Sequence, residues 1–227
     1  MYPAPENIIA LSTVCVGVGP GGTTSMLAYA SLISAFCELT VNVGGSSVVV
    51  NFHGEPLLDK FVLPTMQVVD YREATTGIKS WQLFSKEAMP FNVLQQYIAT
   101  VIRGKIVVGH GIWNDLSGKS RCTRSLPHKC DGFTVLGIPH PAAATRDVAL
   151  YQPFRNALRS PHQVIGLQTL CWQLMRRRCQ EGLIDPSENA RAAMDLYRSD
   201  SKNWEATIAK GNWPSCLPPS TFSRCYS

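Results

Sequence analysis

The stretch IIALSTVCVGVGPGG, residues 8–22, decides the fold. Ile8–Leu11 is an unbroken apolar run suited to a buried strand. A short alternating stretch continues it to Val18, and a glycine-rich turn closes it. Gly17, Gly19 and Gly22 fit the G-x-G-x-x-G spacing of a phosphate-cradling loop. That chemistry needs a helix directly after the turn, so that the pyrophosphate can sit on its N-terminus. Here the turn contains Pro20, then Thr23, Thr24 and Ser25, and then the strand-like run Met26–Ile33. Glu38 is the only acidic residue near the expected ribose position, and no Lys-Ser/Thr follows the glycines as in a P-loop. The stretch therefore reads as a turn between two antiparallel strands.

Outward from it, residues 34–50 are a polar-to-apolar segment with Gly44 and Gly45 in the middle and Val48–Val50 at its end. Leu57–Val62 is a strand stopped by Pro64, and residues 68–79 read as loop. Val93, Leu94, Tyr97, Ile98 and Val101 fall at helical spacing, which predicts an amphipathic helix over Phe91–Ile102, ended by Gly104. Lys105–Gly109 is a short apolar strand of the kind covered on both faces, and Thr145–Val148 re-enters the sheet. The segment between, residues 117–144, is long, basic and proline-bearing. A helix is expected over Gln163–Arg178, with Arg176–Arg178 at its end where cations suit the helix dipole. Another is expected from the acidic, proline-bearing start at Asp185 to about Lys210. Residues 211–227 read as a flexible tail. This order of elements implies an α/β fold with a mixed sheet flanked by helices.

A chain of 227 residues is long enough for one domain with a full core. No apolar run reaches the ~18–20 residues of a membrane helix, and the first residues lack a basic-then-apolar leader. A soluble intracellular protein is expected. The formal charge of +5 favours an anionic partner. None of the eight cysteines forms a C-x-x-C pair; Cys122, His128 and Cys130 lack a fourth ligand at zinc spacing, so scattered reduced thiols are the expectation.

Six blocks, taken together and in order, resemble the DEDDh 3′–5′ exonucleases, specifically the RNA exonuclease subgroup linked to ribosomal RNA processing. They are VGVGPGGTTSMLAYASLI (16–33), NFHGEPLLDKFVLPTMQVVDYR (51–72), GKIVVGHGIWNDL (104–116), TRDVALYQPFR (145–155), GLQTLCWQL (166–174) and ENARAAMDLYRSDSKNWE (188–205). The resemblance implies a ribonuclease-H-like fold, with a mixed five-stranded sheet flanked by helices over residues 1–210 and an insertion at 34–50. It also implies two-metal hydrolysis, in which four carboxylates hold two Mg²⁺ or Mn²⁺ ions about 3.5–4 Å apart and a histidine takes the proton of the attacking water.

Carried over residue by residue, most of that chemistry is missing. Ser12 and Val14 stand where the family's first strand has aspartate and glutamate. Asn189 replaces the last aspartate, Ile184 replaces the histidine, and only Asp115 keeps its carboxylate. Ser12 and Asn189 are neutral, Val14 has no ligand atom, and Glu188 is rotated by about 100° from its neighbour on a helix. Divalent ions favour several charged oxygens, so Asp115 reads as a retained helix-start residue that no longer binds metal. The implied function is a degenerate, catalytically inactive exonuclease fold that binds RNA, single-stranded nucleic acid or a protein partner. Its alternatives are an RNA exonuclease with a residual or rearranged site using Mg²⁺ or Mn²⁺, and a degenerate product without function. No cofactor is expected without activity. Arg121, Arg124, Lys129, Arg146 and Arg155 are the candidate phosphate contacts and Trp113 the candidate base-stacking side chain. A nuclear or nucleolar location follows from the resemblance alone.

Overall fold

The computed structural model describes residues 3–35, 38–43, 46–51, 56–116 and 135–215. Its elements, in chain order, begin with β1 (Ile8–Val18), β2 (Thr24–Ser34), β3 (Glu38–Val43), β4 (Ser46–Asn51), β5 (Pro56–Leu63) and β6 (Val68–Asp70). Then come α1 (Glu73–Thr76), α2 (Ser80–Leu83), β7 (Met89–Pro90), α3 (Phe91–Ile102) and β8 (Ile106–Gly109). The last are β9 (Thr145–Asp147), α4 (Gln152–Ala157), α5 (Leu167–Met175) and α6 (Pro186–Ala209).

The main sheet runs β7-β5-β2-β1-β8-β9, and β6 pairs with the end of β1. Its centre is the expected five strands, β5-β2-β1-β8-β9; β6 and β7 are short additions. β1 and β2 are antiparallel from Ile9↔Ser34 to Val18↔Thr24, with a bulge between Val14 and Cys15. The turn joining them holds Gly22 at φ 68°, and a Cβ on Gly17 would run into the Gly22 carbonyl. Both glycines thus serve a close backbone crossing, which accounts for the spacing that imitates a phosphate loop. β8 and β9 are parallel to β1 and to each other in turn. In segment 34–50, β3 and β4 pair antiparallel as a separate two-stranded sheet.

Strand alternation explains why Ile8–Leu11 is apolar without interruption. Ile8 and Ala10 join Val108 and Val148 against Leu170, Cys171, Ala190, Ala193, Met194, Tyr197 and Trp204, the layer built by α5 and α6. Ile9 and Leu11 join Leu27, Leu32 and Val107 against Leu94, Ile98 and Ile102 of α3. α6 begins where expected, because Asp185 caps it by accepting from the Ser187 backbone N–H at 2.9 Å. Trp204 stacks on Tyr151 with ring centroids 3.8 Å apart, and the Tyr151 hydroxyl donates to Asp200 at 2.7 Å where the helix departs from helical geometry.

α5 is shorter than expected. It starts only at Leu167, after the N-cap Gly166, and stops at Met175 because Arg176 turns left-handed at φ 56°. Arg176–Arg178 therefore follow the helix instead of forming its last turn. The tail also begins with structure: Ser215 bridges Tyr151, and the Gln152 N–H donates to the Pro214 carbonyl at 3.0 Å. Residues 216–227 lie outside the described residues. On the open side of the sheet, β5 pairs with β7 only at Val62 and Leu63, and the Tyr97 hydroxyl of α3 donates to the Leu57 carbonyl at 3.2 Å. Among the described residues no helix is long and apolar enough to cross a membrane.

Candidate active-site cleft

Ser12 and Val14 project from the same face of β1, two residues apart. Ser12 lies opposite Ser31 in the register, and the Ser31 hydroxyl is 3.0 Å from that of Ser187 in the first turn of α6. Ser187 in turn donates to Asp59 Oδ1 at 2.7 Å, so Ser31 is the donor to Ser187. Val14 is buried in an apolar cluster with Ile78 and Leu83, against which Tyr29 and Ile184 pack. A cleft of about 450 Å³ opens beside this cluster, lined by Tyr29, Asp59, Ile184, Asp185, Ser187 and Arg191 among others. Burial, and then the Asp59 hydrogen bond, push the Tyr29 hydroxyl well above its ordinary pKa. Asn189 stands one turn along α6 from Asp185, and its Oδ1 accepts from Gln180 Nε2 at 2.8 Å.

Asp115 takes a different direction. It ends the short turn Ile112–Asn114 after β8, and its Oδ1 accepts from Thr13 Oγ1 at 2.5 Å. Thr13 sits between Ser12 and Val14 in sequence and so projects from the opposite face of β1. Asp115 is 8% exposed, and burial raises its carboxyl to about 7 against a lesser opposing pull from the Thr13 hydrogen bond. Asp147, at the end of β9, is also raised to about 7 by burial, with Asp115 adding a smaller like-charge contribution. Its Oδ1 accepts from the Gly111 and Ala149 N–H groups at 2.9 and 3.0 Å. These two carboxyls, with Thr13, form a polar group beneath the strand end that the sequence did not announce. Thr13 has no chemical signature of its own, and Asp147 lies in the TRD motif without a partner visible nearby in sequence.

The residues present do not fit a two-metal centre. The positions that the resemblance aligns with the family's metal ligands and histidine offer one carboxylate, a hydroxyl, an amide and two hydrocarbons. The carboxylate is turned to Thr13 and the amide to Gln180. Among the described residues no group of three or more His, Cys, Asp or Glu side chains is placed to hold a metal ion.

Two of the arginines read as phosphate contacts, and the stacking tryptophan, are buried. Arg146 is 2% exposed and makes a two-pronged bond to Glu205, Nε to Oε1 at 2.7 Å and Nη2 to Oε2 at 2.9 Å. Arg155 is 5% exposed within α4. Trp113 is buried against Ala149 and Leu150. A phosphate or base can reach none of these three without opening the core. Arg121, Arg124 and Lys129 lie outside the described residues.

The buried carboxyl pair sets a pH dependence. Both groups bind protons more tightly in the fold than in the unfolded chain, where an aspartate titrates near 4. Their stabilising effect is therefore full below about pH 4 and is lost as pH rises through about 7. Urea unfolding will show stability falling by on the order of 2–4 kcal/mol from pH 5 to pH 8. Asp115→Asn keeps an acceptor for Thr13 and removes one titration, so the fall will be shallower. Superimposable pH curves for the two proteins would contradict the assignment.

A mixed sheet with α5 and α6 on one face and α3 on the other is the architecture of the ribonuclease-H-like exonucleases. The apo pseudoubiquitin hydrolase–RNA exonuclease module of Saccharomyces cerevisiae Pan2 matches with a TM-score of 0.64 at 22% identity, over 92% of this chain and 30% of that one. The same module in complex with A7 RNA matches at 0.63 and 23%, over 92% of this chain and 31% of that one. In sequence, RNA exonuclease 4 of Xenopus laevis is 31% identical over 210 residues, which is 92% of this chain and 41% of that protein. Apoptosis-enhancing nuclease of Homo sapiens is 32% identical over 217 residues, 93% of this chain and 55% of that protein. These relatives make the chain a homologue of the DEDDh exonucleases, the RNA exonuclease subgroup among them. It spans about half or less of the length of these two relatives. No family model matches the chain.

Proposed function

We propose that this chain is an RNA-binding exonuclease fold that has lost two-metal hydrolysis. One observation carries the reading: of the aligned catalytic positions only Asp115 is acidic, and its carboxylate is bonded to Thr13 on the far side of the strand from Ser12 and Val14. The homology to RNA exonuclease 4 and the structural likeness to a Pan2 module in complex with RNA support RNA as the ligand. Electrostatics agrees. At ~5 Å and an effective dielectric of ~20, each absent carboxylate removes up to about 3 kcal/mol of repulsion on a phosphate before screening. Asp115, raised to about 7, is itself only partly ionised at neutral pH. Arg121, Arg124 and Lys129 remain the phosphate contacts of this reading, in a nuclear or nucleolar setting.

The test uses purified protein and end-labelled single-stranded RNA. With Mg²⁺ or Mn²⁺ the RNA will stay full length, and in EDTA it will bind with an affinity that falls steeply with salt. Metal-dependent shortening that Asp115→Ala abolishes would replace this reading with an active exonuclease of rearranged site. Neither binding nor shortening would leave a fold without the RNA function, and a protein would then be the ligand to seek.

A further inference from the structure

We propose that the end of α5 is a docking site for single-stranded RNA, with Trp172 as a stacking platform and Arg176 and Arg178 as phosphate contacts. The inference rests on the RNA-binding reading above and gives it a second surface, outside the cleft.

Trp172 is 41% exposed on α5, although an indole of this size is usually covered. Two guanidiniums converge on its ring: the Arg176 carbon lies 5.9 Å and the Arg178 carbon 5.6 Å from the centroid. Arg176 holds a left-handed backbone that favours glycine, and this turn is what brings the chain back past the ring. Cations gathered this closely repel each other unless anions intervene, and the local carboxylates are mostly engaged elsewhere. Asp195 is shared between Arg177 and Arg198. Glu188 accepts from the Gln180 backbone N–H at 3.0 Å. Glu181 pairs with Arg178 at 3.0 Å, but both side chains are more than half exposed. A pair so solvated contributes little and exchanges readily for a phosphate.

An exposed indole with planar cations over its ring fits a chain whose bases are unstacked and whose backbone is anionic, since a base and a phosphate can take the places of these contacts. Duplex nucleic acid hides its base faces, and an acidic peptide offers nothing to stack. The position suits the cleft as well. The loop carrying Arg176 and Arg178 continues through Gln180, which bonds Asn189, to Ile184 and Asp185, which line the cleft. The loop thus links the two surfaces along the chain.

Fluorescence anisotropy with a labelled single-stranded RNA of about 12 nucleotides, titrated at several salt concentrations, tests this. Trp172→Ala will weaken binding roughly tenfold, and Trp172→Phe will retain most of the affinity. Arg176→Ala with Arg178→Ala will lower the slope of log affinity against log salt by about 1.4, the value for two phosphates on a single strand. Wild-type binding with no change in these variants would refute the docking site and leave the RNA-binding reading standing. Absence of wild-type binding would remove both. Competition by duplex RNA or polyglutamate as strong as by single strands would also overturn the site, and would point to a generic polyanion surface or an acidic protein. The three side chains are exposed, so unchanged circular dichroism will certify that the variants fold.

Discussion

A chain carrying Ser12→Asp, Val14→Glu, Ile184→His and Asn189→Asp together will shorten end-labelled single-stranded RNA in Mn²⁺ or Mg²⁺, while the natural sequence, on the proposed reading, will leave it intact. Ser12 and Val14 already share the face of β1 that meets α6. The β1–β2 register around them is regular up to the bulge after Val14, so new carboxylates there will point together. The histidine would enter at the wall of the 450 Å³ cleft. Asp115 must leave Thr13 to join them, and once metal is bound its Coulomb attraction will exceed one hydroxyl hydrogen bond. A restored two-metal site will raise hydrolysis on the order of 10³-fold or more above background, a small part of what such enzymes achieve. Without metal the added carboxylates repel one another, so the variant will melt lower than the natural protein and recover as Mn²⁺ is added. A Mn²⁺-dependent rise in melting temperature without RNA shortening would mean that the cleft holds metal but is not the hydrolytic site. No rise at all would mean the alignment of Ser12 and Val14 with the missing ligands is wrong.

The second large effect is structural. Glu205→Ala will destabilise the protein by about 3–5 kcal/mol, because it leaves the Arg146 guanidinium buried and uncompensated. The Tyr197 hydroxyl loses the bond that it donates to Glu205 Oε1 at 3.0 Å at the same time. Replacing both ends, Arg146→Met with Glu205→Leu, will be far milder, since no charge is then stranded. Urea denaturation of the two variants reads this directly. A cost below about 1 kcal/mol for Glu205→Ala would show that water reaches Arg146 and would return it to the pool of phosphate contacts.

That pair shows where sequence reading stopped. β1, α3 and α6 were legible because each carries its own periodicity and boundary signals. The unbroken Ile8–Leu11 run declares a strand covered twice, and Asp185-Pro186 declares a helix start. Arg146 and Arg155 read as candidate phosphate contacts because they lie on or near loops that follow the strand ends where the family's substrate passes. What buries Arg146 is a carboxylate 59 residues away on α6, and no local pattern encodes that. Trp113 had the same difficulty, since its neighbours Ala149 and Leu150 arrive from beyond β9. The α5 boundary was missed because the helical pattern of Val164 and Leu167 runs back past Gly166, where the backbone is extended. The identities at the positions that the resemblance aligns with the family's catalytic residues are plain in the sequence. The pairing of Asp115 with Thr13 is not, because it depends on which side of a strand a turn delivers its side chain.

The outer strand β5 has a consequence for life in a crowded solution. One edge of it pairs with β2 from Pro56 to Phe61, but among the described residues its other edge meets a strand only at Val62 and Leu63, and an open row of backbone donors and acceptors invites another chain to add on. Pro56 opens the strand without an amide proton, Asp59 and Lys60 place charges in its middle, and Tyr97 occupies the Leu57 carbonyl. β7 then closes the far end with Pro90. An intruding strand would have to desolvate two charges and displace a tyrosine for few backbone bonds. This edge is built to resist polymerisation, a demand placed on any folded chain that must stay dispersed, whether or not it performs catalysis.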